Sequence, residues 1–196
     1  MIEHPEPPAD FTDRDVLIRE VEGPLFRIHR ASHDPLHFGR AARNRFDAPA
    51  GEFGVLYCAR DEWAAFIETF GQSTGISTVS VSSLTASSLA RLSLIRHLRV
   101  VDFAASGGLT RAGADARLCT GPHDLARRWS LAVWGHPAQA DGIAYGCRHD
   151  PPRVAVAVFN RATDAISAHS LGSLMLPEHQ SLLGKILDTY KFGLVE

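Results

Sequence analysis

The run Phe53–Ala59, FGVLYCA, constrains the fold more than any other stretch of the chain. It is compact, apolar and rich in β-type residues, which reads as a buried strand. Asp61 follows as an N-cap residue and Gly71 as a helix-ending glycine. Between them Trp63, Phe66, Ile67 and Phe70 fall at i, i+3, i+4 and i+7, the stripe of an amphipathic helix docked on the strand. Glu68 lies to the side of that stripe, near Ala64. It is either a solvated rim residue or a carboxylate pointing into a cleft beside the core.

The remaining periodicities fit an α+β chain. Leu25–His29 alternates as a strand, with Arg27 on the face of Leu25 and His29. Residues 33–49 read as loop, and residues 72–88, rich in Ser and Thr, as loops and edge strands. The segment 89–104 favours two strands but allows a helix through Ile95. Asp124–His136 is a second helix. A strand at Ile143–Cys147, a turn at Asp150–Pro151 and a strand at Val154–Phe159 make a hairpin. Pro177 opens a last helix with Leu182, Leu183, Ile186, Leu187 and Tyr190 on its apolar face. Strands with interspersed helices, and no regular βαβ alternation, imply one α+β domain with mixed or antiparallel sheets and flanking helices. Residues 1–23 read as an N-terminal arm, 24–162 as the domain, and 163–196 as a C-terminal extension whose helix packs on it.

The chain has 196 residues, 45% of them hydrophobic and 21% charged, with a formal net charge of −2. That suits one globular domain and gives no sign of direct nucleic-acid binding. The acidic, proline-rich N-terminus is not a signal peptide, and no apolar run approaches the ~18 residues of a membrane span. Three cysteines without CxxC spacing argue against a disulfide framework or structural zinc, and for the cytoplasm. Only Lys185 and Lys191 are lysines; the other basic residues are arginines. Between Leu25 and Phe46 lie Arg27, Arg30, Arg40, Arg43 and Arg45 with three histidines, against the single acid Asp34. This segment suits a phosphate or pyrophosphate, or is a solvated basic loop.

Four blocks, covering roughly Leu25 to Arg161, resemble the RES-domain family. They are LFRIHR; NRFDAPAGEFGVLYCARDEWAAFIETFG; GADARLCTGPHDLARRWSLAVW; and DGIAYGCRHDPPRVAVAVF. The second and fourth together are the more specific signal. The resemblance implies a fold like that of ADP-ribosyltransferases and a toxin of a bacterial toxin–antitoxin pair. It implies NAD as substrate, with no cofactor, and a cognate antitoxin with a helix-turn-helix DNA-binding part. It carries the family's arginine to Arg27, its glutamate to Glu68, and further NAD-binding positions to Arg45 and Tyr57. At the family's serine this chain has Cys147, a weaker hydrogen-bonding group.

For this chemistry, breaking the nicotinamide–ribose bond builds oxocarbenium character on the ribose. Arginine forks match pyrophosphate, a carboxylate faces the developing cation, and Tyr57 stacks on nicotinamide. Water or inorganic phosphate then accepts the ADP-ribosyl group. The expected activity is therefore NAD phosphorylase or glycohydrolase, with Arg27, Glu68 and Cys147 catalytic. Two alternatives stand beside it. One is a catalytically weak or inactive module that binds a nucleotide or a protein, and a homo-oligomer is compatible with either. The other makes Cys147 a thiolate nucleophile helped by His149; strand alternation denies Arg148 that role.

Overall fold

The computed structural model describes residues 6–196. In chain order it contains β1 (Ile18–Val21), β2 (Leu25–Arg30), β3 (Val55–Ala59), α1 (Glu62–Phe70), β4 (Thr78–Ser80), α2 (Val81–Thr85), β5 (Ser87–Leu94) and β6 (Leu98–Asp102). There follow α3 (Gly108–Ala112), α4 (Arg117–Thr120), α5 (His123–Gly135), β7 (Gly142–Cys147), β8 (Asp150–Phe159), β9 (Ile166–Gly172), α6 (Gln180–Tyr190) and β10 (Gly193–Val195).

Eight strands form one mixed sheet in the order β1-β6-β7-β8-β3-β2-β5-β9. Every neighbouring pair is antiparallel except β6–β7, and that parallel pair needs the long crossover through α3, α4 and α5. β4 and β10 pair separately, in parallel. Strand alternation divides the core. Val55, Ala59, Ile143, Tyr145, Ala157 and Phe159 pack with α1, with Trp129 and Val133 of α5, and with Leu183 and Ile186 of α6. Leu56, Cys58, Ala144, Val156 and Val158 form a smaller cluster on the other face, closed by Ala162 and Ala165. The FGVLYCA strand is thus covered on both faces, as its composition requires. With α1, α5 and α6 on the same side of the sheet, the α+β class expected from the sequence is the observed one.

Local readings needed correction in three places. The stretch expected to be an extended arm supplies β1, which pairs with β6 along Ile18–Val21, and it buries Phe11 against Trp129. Residues 72–88 include the short helix α2, started by Ser80, whose side chain accepts from the Ser83 N–H. The hairpin turn lies at Arg148–His149, because β8 begins at Asp150 and Cys147 already pairs with Asp150. Pro151 and Pro152 are tolerated in a strand there because β3, on the other side of β8, pairs with it only from Ala155 onward.

One interruption shapes everything that follows. β3 pairs with β8 over five residues and β2 with β5 over six, but β2 and β3 meet in register only at Phe26–Ala59. Beyond that pair the two central strands part, and the sheet opens into a cleft.

Candidate active site

The cleft has a volume of about 530 Å³ and takes walls from both strands of the fork, from α1, and from the turn after β7. Arg27, Arg45, Tyr57 and Glu68 all line it. By strand alternation Arg27 and Cys58 belong to the sheet face opposite Tyr57, yet all reach the same space because β2 and β3 have separated.

Helix α1 places the carboxylate. The Asp61 side chain caps it by accepting from the Ala64 N–H at 2.8 Å, and Ala64, Ala65, Phe66 and Ile67 fix its buried face. Glu68 then projects sideways into the cleft. Tyr145 donates its hydroxyl to Glu68 Oε2 at 3.2 Å, and the Arg148 backbone N–H donates to Oε1 at 3.3 Å. Burial pushes the Glu68 carboxyl pKa up. The Arg148 N–H, Tyr145, Arg45 and His149 each pull it back toward ionisation.

Arg43 and Arg45 come from a loop that a buried acid organises. Asp47 is 1% exposed; its Oδ2 accepts from the Arg43 and Asn44 N–H groups at 2.9 and 2.8 Å. Its Oδ1 accepts the Tyr57 hydroxyl at 2.9 Å, and that hydroxyl in turn accepts from the Phe46 N–H at 2.9 Å. Tyr57 therefore has both its hydroxyl roles committed to the loop, and only its ring remains for a ligand. From the crossover side, Arg127 Nε donates to the Asn44 carbonyl at 3.1 Å. Arg45 Nη1 donates to the Gly121 carbonyl at 2.6 Å, at the end of α4. Arg27 Nη1 is held by the His37 carbonyl at 3.2 Å. Desolvation lowers the pKa of both guanidinium groups. Two partly dehydrated cations gain more from an anionic ligand than solvated ones do.

Cys147 is placed otherwise than expected. Its side chain is 1% exposed, belongs to the apolar core and is absent from the cleft wall. Burial, then the charges of Glu68, Asp150 and Asp61, push the thiol pKa up, so it stays protonated at neutral pH. This removes the physical basis for a thiolate nucleophile. Arg148 and His149 both line the cleft while Cys147 does not, so Arg148 lies apart from the thiol as expected, and His149 does not share a cleft with it. The buried Nε2 of His149 has no hydrogen-bond partner. Asn160, set aside from the site in the sequence, is a structural anchor whose Oδ1 accepts from the Gly54 N–H at 3.1 Å.

Tyr145, Asp47 and Arg148 were missed. Tyr145 looks like any strand tyrosine, and its partner is 77 positions away. Arg148 contributes a backbone N–H, for which no side-chain pattern exists.

Over 124 residues the chain is 28% identical to "Probable toxin y4kH" of Sinorhizobium fredii (strain NBRC 101917 / NGR234), covering 63% of this chain and 94% of that protein. The fold matches a chain of the crystal structure of the M. tuberculosis MbcT–MbcA toxin–antitoxin complex with a TM-score of 0.64. The identity is 18%, over 84% of this chain and 92% of that one. The family model described as "RES domain" matches residues 24–178. The chain belongs to the RES-domain family.

Proposed function

We propose that the protein is an NAD-degrading enzyme that cleaves the nicotinamide–ribose bond, and the toxin of a toxin–antitoxin pair. The observation that carries the reading is a single cleft-lining carboxylate among the described residues, Glu68, in a wall otherwise charged by Arg27, Arg43, Arg45 and Arg148. The arginines suit the two phosphates of NAD. The carboxylate suits the ribose, where positive charge develops as the bond to nicotinamide breaks. Nicotinamide leaves with the bonding electron pair as a neutral molecule, so no strong acid is needed. Water or inorganic phosphate then attacks the anomeric carbon, losing a proton to solvent when water is the acceptor. Glu68 is the catalytic residue in this scheme. Arg27 and Arg45 hold phosphate, and the Tyr57 ring forms part of the nicotinamide wall. Cys147 acts through packing.

The toxin role, and a partner antitoxin, are supported by the family, by the relative's name and by the complex in which the structural neighbour was solved. An antitoxin segment carrying a carboxylate would compete with the NAD phosphates for the arginines.

Incubation of the purified protein with NAD, with and without inorganic phosphate, tests the enzyme. Nicotinamide release is expected, and a requirement for phosphate would identify the phosphorylase. NAD binding without release would favour a nucleotide-binding module. Expression alone in a bacterial host should stop growth and deplete NAD; harmless growth with unchanged NAD would remove the toxin role.

A further inference from the structure

The RES-domain match ends at residue 178, before α6 begins. Yet the end of α6 reaches the back of the cleft. The Tyr190 hydroxyl donates to Asp150 Oδ2 at 2.7 Å. The same carboxylate oxygen accepts from Arg153 Nε at 2.9 Å, and Arg153 Nη1 reaches the helix-capping Asp61 at 2.7 Å. Asp150 is the first residue of β8, directly after the Arg148–His149 turn. The Tyr190 ring also lies parallel to Phe66 of α1, with centroids 6.4 Å apart and an interplanar angle of 9°. One side chain therefore touches both elements that meet at Glu68: the helix that carries it and the hairpin turn that donates an N–H to it.

We propose that Tyr190, supplied by the C-terminal helix, is a positioning residue that holds Asp150 and thereby keeps the Arg148 N–H on Glu68. Besides Tyr190, the turn is restrained by Arg153 on Asp150 and by the β7–β8 pairing, which ends at Cys147–Asp150. Arg148 is exposed, the hairpin register shifts between Gly146 and Cys147, and the turn spans only two residues. At Gly146 a side chain would come within 2.9 Å of the Pro151 carbonyl, so the approach of the two strands is already at its limit. The groups facing Glu68 are Tyr145 from β7, Arg45 from the loop, the thiol of Cys119 from α4, the Cys147 thiol, and Arg148 and His149 from the turn. Those facing Asp150 are Arg153, Tyr190 and the Cys147 thiol. Of the two hydrogen bonds to the Asp150 carboxylate, the Tyr190 hydroxyl is the one that can be deleted without removing a charge.

The inference rests on Glu68 being functional, but its test does not require turnover. In the full-length protein, Tyr190→Phe keeps the ring on Phe66 and removes only the hydroxyl. The Glu68 carboxyl titration, followed by ¹³C NMR and assigned by its loss in Glu68→Gln, should move to higher pH, because the N–H that favours the carboxylate is held less closely. Hydrogen exchange of the Arg148 amide should speed up. Nicotinamide release should fall about three- to tenfold in kcat with KM for NAD nearly unchanged, the size expected for weakening one hydrogen bond without losing it. Thr189→Val, which breaks the neighbouring contact to Trp63 at 3.4 Å, should change none of these. An unmoved Glu68 titration and unchanged Arg148 exchange in folded Tyr190→Phe would overturn the proposal. Should Tyr190→Phe fail to fold, Arg148 exchange in Tyr190→Leu, which also removes the hydroxyl and keeps apolar bulk against Phe66, decides in the same way. A shifted titration in a protein whose parent releases no nicotinamide would leave the positioning role standing and refute the enzyme.

Discussion

Tyr145 on β7 donates its hydroxyl to Glu68 on α1 across 3.2 Å, and this contact ties the sheet to the helix at the floor of the cleft. Tyr145 is 5% exposed, so the hydroxyl has little solvent to turn to. Tyr145→Phe deletes a bond that favours the ionised carboxylate. The Glu68 pKa should rise, and the acid limb of the pH–rate profile should move to higher pH. Nicotinamide release at neutral pH should drop about three- to tenfold. A profile superimposable on the parent's would show that Glu68 ionisation does not depend on Tyr145.

Glu68→Gln should separate function from stability. Turnover should fall by about 10²–10³, the usual cost of removing a group that faces transition-state charge. Stability should move the other way. The folded-state pKa of Glu68 lies above its unfolded value, chiefly through burial. The native state therefore holds the proton more tightly, and the stability present at low pH is lost as pH rises through the unfolded and then the folded pKa. Wherever the side chain is ionised, its burial is a net burden that glutamine relieves. Its Oε1 can still accept from the Arg148 N–H while its Nε2 donates to Tyr145. Thermal melts at pH 7 should place the variant at or above the parent, and a much lower Tm would contradict this.

The readability of the chain followed how local each signal is. The strand–cap–helix unit from Phe53 to Gly71 was legible because Asp61, the apolar stripe and Gly71 all act within one element. Arg27, Arg45, Tyr57 and Glu68 were legible through the resemblance of their blocks, although their convergence depends on the parting of β2 and β3. That fork left no mark in either strand, since both read as ordinary strands. The hairpin turn was misplaced because the Asp150–Pro151 pair has turn chemistry, whereas the register is set by β7 pairing. Asp47 lay one residue beyond the basic stretch and looked like a loop acid. Its importance comes from burial, which is a property of the tertiary structure.

Tyr57→Phe should act mainly on stability and on the arginine loop. The phenol hydroxyl is the link between the Phe46 N–H and the buried Asp47 carboxylate. Phenylalanine leaves an N–H donor and one carboxylate oxygen short of a partner, at a cost of about 1–3 kcal/mol. Denaturant melts should show that loss. KM for NAD should rise because Arg45 sits in the loop that loosens. A variant with parental stability would mean that Asp47 finds its hydrogen bonds elsewhere.

Arg45→Lys tests the fork geometry. Arg45 spends Nη1 on the Gly121 carbonyl at 2.6 Å, and the residue lines the cleft. An ammonium cannot hold that carbonyl and chelate a phosphate in the same pose. NAD binding by calorimetry should weaken about tenfold or more. Equal affinity in the variant would take Arg45 out of phosphate recognition.

Cys147 gives the last test, because sequence and structure point different ways. At this position the family pattern has serine, which suggests a hydroxyl that contacts substrate or glutamate, so that Cys147→Ser would raise activity. The folded chain instead buries the side chain in the core, 1% exposed and away from the cleft wall. A serine there would carry a hydroxyl into apolar surroundings, costing about 1–3 kcal/mol unless it finds a partner. Cys147→Ala would leave a small void and cost a similar or smaller amount. Both variants should therefore lose some thermal stability and keep nicotinamide release within about threefold of the parent. Because burial and nearby carboxylates hold the thiol in its protonated form, iodoacetamide at neutral pH should leave activity intact. A rise in turnover with serine alone would put a hydroxyl at this position back into the chemistry. Loss of turnover in both folded variants, together with inactivation by the alkylating reagent, would make the thiol a participant despite its burial.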